Sequence, residues 1–169
     1  MDAAHAVDFS LFFSARPDRV PQFARRFGAK LNCQLLDLPV SAVPGATTGT
    51  LARPVASLAV RNLLRSEALE LPSGQDVARK VGEVPLTHEQ LGAEGPLYLW
   101  YYLLKEAEVH GGSLMLGPVG IRIVAETLIG LINADPGSHR LAYPAWRPTL
   151  ADGTGSFGIV NLLRIAGVV

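Results

Sequence analysis

Helical spacing of apolar residues is the feature that most constrains how this chain can fold. In several segments apolar residues recur three to four positions apart, whereas runs that alternate apolar and polar residues are almost absent. A period near 3.6 residues places such side chains on one face of an α-helix. We therefore predict a mainly α-helical fold with long irregular loops. The 169 residues suffice for a single domain over 1–169 with a sizeable core.

Polar residues mark where several of these helices start. Ser57 is the predicted cap of a helix over 58–69, and Ser73 that of a short helix ended by Gly82. Thr87 and Gln90 have the spacing of a capping box. The other predicted helices are an amphipathic one with a basic cluster over 17–36, and two that are apolar on nearly every side, over 97–104 and 119–132.

Two segments are rich in proline, glycine and small polar residues. We predict that 37–56 is a connector and that 134–158 is a Pro/Gly-rich arm, because these residues interrupt regular structure.

The chain is unusually apolar, with 49% hydrophobic and 18% charged residues. The most apolar window, 114–132, contains Arg122 and Glu126 and is interrupted by Gly117 and Pro118. A buried helix fits this window better than a membrane span, and we expect Arg122 and Glu126 to pair with each other or with neighbours. Alternatively, polypeptide outside this chain covers part of the apolar surface.

The charge balance and the cysteine count favour a cytoplasmic protein without nucleic acid as a partner. Fifteen basic and fifteen acidic residues give no net charge. The single cysteine, Cys33, excludes a disulfide scaffold, and the first residues lack the basic start of a signal peptide.

The sequence contains none of the common catalytic and metal-binding motifs. The four histidines lie in separate segments without metal-ligand spacing, so we predict no metal site. No phosphate loop, dinucleotide fingerprint or hydrolase nucleophile elbow occurs, and no catalytic set is complete.

Asn62 and Arg65 are unusual polar residues in the middle of an apolar helix. They lie three residues apart, about one turn, so both side chains can reach the same object. One interpretation is that Asn62 satisfies a backbone group and Arg65 a helix C-terminus. The other is a ligand with a hydrogen-bonding need and an anionic group.

Several stretches, in order, resemble the C-terminal part of the animal-type haem peroxidases, the superfamily of myeloperoxidase and the prostaglandin synthases, and most of all its bacterial members. The resemblance covers about 8–169. The stretches that carry it are RNLLR followed by LPSGQ, PLYLWYYLLKEAE, LGPVGIRIVAETLIGLINADPGS, WRPTL and LLRIAGV.

This resemblance implies a helical, bundle-like portion of the haem peroxidase fold and roles for two residues. By position, Asn62 would hydrogen-bond the proximal histidine that ligates the haem iron, and Arg65 would pair with a haem propionate. A partner on the imidazole N–H orients that ligand, and a guanidinium suits a carboxylate.

The resemblance also implies what this chain lacks. The family's proximal histidine, distal histidine, distal arginine and calcium-binding loop lie upstream of the matching part. His5 precedes Asn62 but lies nearer than the family's spacing and lacks the Arg-x-Gly-His setting.

The resulting hypothesis is a C-terminal module of a haem peroxidase that depends on an N-terminal polypeptide or partner chain. It implies haem only in the assembled state and none in the lone chain. The alternatives are a non-catalytic helical scaffold without haem, and a small enzyme of other chemistry. Partner binding or self-association is expected because the two most apolar helices would keep apolar faces.

Overall fold

The computed structural model describes residues 7–39, 56–147, 149–150 and 155–169. Within these residues the chain is mainly helical, with one isolated bridge between Ser73 and Tyr98 and no strand. The predicted α-class is confirmed. The α-helices are α1 (Leu58–Ala68), α2 (Gly74–Lys80), α3 (His88–Leu91), α4 (Leu99–Val109), α5 (Pro118–Ala134), α6 (His139–Ala142) and α7 (Ile159–Ile165), and two 3₁₀ turns span Phe9–Leu11 and Cys33–Leu35.

The contacts divide the chain into two compact units. Arg26–Leu131 forms the central unit, and Met1–Arg25 combines with Ile132–Val169 in the terminal unit. The single-domain organisation stays a prediction. Most of the predicted connector 37–56 lies outside the described residues, and the described part of 134–158 contains the short helix α6.

The predicted helix caps are confirmed in the central unit. The Ser57 hydroxyl accepts a hydrogen bond from the N–H of Val60 at 3.4 Å, and the Ser73 hydroxyl accepts one from Asp76 at 3.1 Å. Thr87 and Gln90 form the reciprocal capping box of α3. These side chains satisfy N–H groups that have no partner inside their helices.

The core of the central unit is built around Tyr102. This side chain is fully buried with Ala78, Leu86, Leu91 and Val119. Its hydroxyl accepts a hydrogen bond from the buried N–H of Leu86 at 3.1 Å. Burial raises the pKa of the Tyr102 hydroxyl, so the fold favours the neutral phenol.

Gly74 lets α2 approach α4 closely. A Cβ at position 74 would overlap the Cβ and Cγ of Tyr102. The N–H of Gly74 also donates to the carbonyl of Leu97 at 2.9 Å, which ties the start of α2 to the segment before α4.

Glu106 joins α4 to the start of α5. Its side chain is 2% exposed, and its two carboxylate oxygens accept hydrogen bonds from the N–H groups of Val119 and Gly120, each at 3.1 Å. Gly117 is required here because a Cβ would overlap the Glu106 side chain. A carboxylate at a helix N-terminus also complements the helix dipole.

The amphipathic helix predicted over 17–36 is wrong. The chain is irregular here except for the turn Cys33–Leu35. Pro21 lacks an N–H and disfavours helical backbone at the residue before it, and Gly28 adds flexibility. Tertiary bonds hold part of this segment instead, because the N–H of Ala29 donates to Glu108 at 2.9 Å.

Glu108 is fixed by a second contact. Lys105 donates to it at 2.7 Å, and this bond, aided by that of Ala29, lowers the pKa of the Glu108 carboxyl.

The prediction that the helix over 119–132 is buried is also wrong. Within α5 only Val119 and Gly120 are buried. Large apolar side chains along the rest of the helix are exposed by about half: Ile121, Val124, Leu128, Ile129, Leu131 and Ile132. Helical periodicity shows which apolar side chains favour burial, but the described residues do not bury those of α5. No described helix is long and apolar enough to cross a membrane.

The predicted pairing of Arg122 and Glu126 is confirmed, at 2.6 Å. Arg122 also donates to the carbonyl of Val81 at 2.7 Å.

The terminal unit has polar contacts of its own. Arg19 pairs with Asp8 at 2.7 Å beside the turn Phe9–Leu11, and Arg164 of α7 donates to the carbonyl of Ala15 at 3.2 Å. Leu163 is its buried apolar residue in α7.

Candidate functional site

Helix α1 brings the predicted site residues Asn62 and Arg65 to one surface. Both line an open cavity of about 390 Å³, together with Leu58, Arg61 and Leu64. Asn62 is half-buried and Arg65 is exposed. The structure therefore places the two predicted residues side by side, as their spacing of one turn requires.

Neither side chain has the structural partner that the first interpretation needs. In the described part of the chain, the amide of Asn62 and the guanidinium of Arg65 make no hydrogen bond or ion pair. Ser66 donates to the backbone carbonyl of Asn62 at 3.0 Å, and the backbone carbonyl of Arg65 accepts from Leu69. These two backbone carbonyls are thus satisfied within the helix, and neither polar side chain has a partner among the described residues.

The opposite side of α1 is apolar and packs toward α4. Ala59 and Leu63 line a groove of about 330 Å³ with aromatic residues at the start of α4. At the end of α1, Glu67 accepts a hydrogen bond from the Tyr98 hydroxyl at 2.5 Å. This bond raises the pKa of Tyr98 and fixes α1 against α4. The cavity face therefore lies on a helix that a hydrogen bond ties to the start of α4.

Arg61 is the residue of this face that sequence reasoning missed. It lines the same cavity as Asn62 and Arg65, is half-buried, and has no hydrogen-bond or ion partner in the residues that the structure describes. The signal was present in the sequence, because RNLLR has arginines four apart and such pairs share a helix face.

None of the described histidines lines this cavity. Two of them contact other groups, and the third is exposed. The Nδ1 of His88 lies 3.3 Å from the carbonyl oxygen of Ala93, and His139 contacts Trp146 edge-on with ring centroids 4.9 Å apart. His110 is the exposed C-cap of α4. His5 lies outside the described residues. Over the described ranges, no group of three or more His, Cys, Asp and Glu residues could hold a metal ion.

A second polar cavity, of about 280 Å³, is lined by residues that bond one another. Ser73 donates to Asp76 at 2.7 Å, and Arg79 donates to the same carboxylate at 2.7 Å. These bonds cap and stabilise α2, so this cavity has a structural explanation that the α1 face lacks.

No family model, curated protein or solved structure matches this chain. The interpretation of the candidate site therefore rests on the geometry of the site. That geometry offers two guanidinium groups and one amide over an open cavity, which suits recognition of an anionic ligand with an additional hydrogen-bonding group.

Proposed function

We propose that this chain is the C-terminal module of a haem peroxidase-type oxidoreductase, completed by an N-terminal polypeptide or a partner chain. The observation that carries the proposal is that Asn62 and Arg65 line one cavity with no partner among the described residues. The bundle-like haem peroxidase fold is part of the same proposal.

The residues of the α1 face fit the edge of a haem group and its axial imidazole. The guanidinium of Arg65 can bind a propionate carboxylate through two N–H groups. The amide oxygen of Asn62 can accept the N–H of an imidazole and so hold the ring in one orientation. In this chain Arg65 would hold a propionate and Asn62 would orient the imidazole, and haem would supply the peroxide-dependent oxidation when it is bound.

The residues described here do not fit the iron itself. An iron ligand requires a histidine or another donor beside the cavity, and the described residues of the cavity lining contain none. The proposal therefore assigns the iron ligand and the distal acid-base groups to the partner, and no reaction step is assigned to this chain alone.

The test supplies the family's N-terminal portion in trans. The lone chain should show no strong Soret band, whereas the mixture should show one and should oxidise a peroxidase substrate with hydrogen peroxide. Asn62→Ala should then lower activity more than haem content, because it disturbs the orientation of the ligand rather than the contact with a propionate. Asn133→Ala, at an exposed position of α5, is the matched control.

Two results would overturn the proposal. A strong Soret band from the chain alone would require one of its own four histidines as the axial ligand. Absence of haem from a complex that nevertheless forms would favour a different function.

That second function is a helical scaffold without haem. The exposed apolar side chains of α5 favour it, because a surface of this kind commonly marks a protein interaction site. Complex formation without a Soret band, measured on the same mixture, is the result that it predicts.

A further inference from the structure

Two cations share the cavity face of α1, and no described carboxylate pairs with them. Arg61 and Arg65 are four residues apart, so their side chains project about 40° apart around the helix axis. Like charges at this spacing destabilise a helix unless a counter-charge is present. Both arginines line the cavity, and neither has a partner in the described residues.

Most other arginines in the structure are partnered. Arg16, Arg19, Arg79 and Arg122 pair with carboxylates, and Arg147 and Arg164 donate to backbone carbonyls. Arg26 and Arg140 also lack a partner among the described residues, but both are exposed and neither lines the cavity. The α1 face differs because two guanidinium groups that lack a partner among the described residues line the same cavity.

No carboxylate among the described residues pairs with either arginine. Glu67 on α1 accepts from the Tyr98 hydroxyl. The undescribed residues 40–55, which precede α1, contain no Asp or Glu at all. Whatever position that segment takes, it cannot supply the missing negative charge.

We propose that Arg61 and Arg65 together bind a ligand that carries two carboxylates, one at each guanidinium, with Asn62 beside them as a neutral hydrogen-bonding group. Two guanidinium groups separated by one turn can each take a carboxylate in bidentate geometry. The choice of ligand rests on the proposed function, because a haem-type porphyrin carries two propionates. Arg65 alone would serve one propionate, and the new assignment is that Arg61 serves the other.

The test uses an iron-free porphyrin, so that no axial ligand is needed. Protoporphyrin IX, with two carboxylates, and its dimethyl ester, with none, are titrated against the full chain by fluorescence. The ratio of the two affinities isolates the carboxylate contribution from adsorption on apolar surface. In the wild-type chain the diacid should bind more tightly than the diester.

Single substitutions then separate the two arginines. Arg61→Gln and Arg65→Gln should each lower the diacid-to-diester ratio by about fivefold to tenfold, as expected for loss of one charge-assisted contact. Arg61→Lys should recover part of the ratio because it keeps the charge without the bidentate geometry. Arg26→Gln, at an exposed position, should leave the ratio unchanged. Glutamine is a good helix former, so circular dichroism should show that the variants stay folded.

Each outcome decides the matter. Loss of preference with both variants supports the shared site. Loss with Arg65→Gln alone overturns the role of Arg61 and leaves the proposed function standing. No preference for the diacid in the wild-type chain overturns the inference outright, whereas the Soret band of the mixture with the N-terminal portion reports on the proposed function independently.

Discussion

At the scale of single residues, the Tyr102 hydroxyl has a structural role, although it is an ionisable group. It is enclosed in the core and accepts the buried N–H of Leu86. Tyr102→Phe keeps the ring and removes the acceptor, so the Leu86 N–H loses its partner. We expect the free energy of unfolding to fall by about 1–3 kcal/mol, the usual cost of an unsatisfied buried donor.

Chemical denaturation measures this loss directly. Tyr101→Phe is the matched control, because Tyr101 lies on the same helix and its hydroxyl makes no hydrogen bond among the described residues. Its effect should stay within about 0.5 kcal/mol. Equal losses for the two variants would contradict the assigned role of Tyr102.

Residue-level patterns were predictable where the cause is local. Ser57 and Ser73 cap their helices because a hydroxyl satisfies N–H groups within the next turn, which sequence spacing reveals. The pair Arg61 and Arg65 was readable in the same way but was overlooked. The carboxylate of Glu106 could not be foreseen, because its partners are thirteen and fourteen residues away on another helix.

At the scale of helices, two glycines differ in the space that surrounds the position of a Cβ. Gly74 of α2 contacts the Tyr102 side chain, and no room exists for a Cβ. Gly130 of α5 has nothing within 4 Å of the position of a Cβ. The same substitution should therefore have opposite effects in the two helices.

Gly74→Ala should lower the free energy of unfolding by about 1–3 kcal/mol or more through overpacking. Gly130→Ala should raise it by about 0.5–1 kcal/mol, because alanine is the better residue inside a helix. Thermal and denaturant unfolding of both variants provides the comparison. A loss from Gly130→Ala would indicate that α5 is in contact with something at that position.

Helix boundaries were predicted better than helix surroundings. α1 and α2 begin directly after their predicted capping residues, Ser57 and Ser73, since a cap acts within one turn. The prediction of a helix over 17–36 was wrong because it gave more weight to the apolar spacing than to Pro21. Pro21 lacks an N–H and restrains the backbone of Val20, and both effects oppose a helix.

At the scale of the whole molecule, the exposed apolar surface of α5 has a consequence for association with other polypeptide. Leu128 and Leu131 are exposed by 56% and 64%, and further apolar side chains lie near them. Water in contact with such a surface favours its burial against other polypeptide. The isolated chain should therefore self-associate or bind a partner.

Sedimentation velocity over a range of concentrations tests this expectation, with dye binding as a second measurement. Leu128→Lys should shift the chain toward monomer and lower dye fluorescence. Lys80→Glu, a change at an exposed position of α2, should leave both unchanged. A wild-type chain that stays monomeric and binds no dye would contradict the prediction.

The contact between Glu106 and the start of α5 has a consequence for folding cooperativity. N–H groups in the first turn of a helix normally exchange quickly with deuterium, because they have no partner within the helix. Those of Val119 and Gly120 are closed off by a carboxylate from α4, so they should exchange only when α4 itself opens. In an exchange experiment the two amides should follow the slow core of α4, and Glu106→Gln should release them first. The two helices would then behave as one cooperative unit although eight residues, 110–117, connect them in the chain.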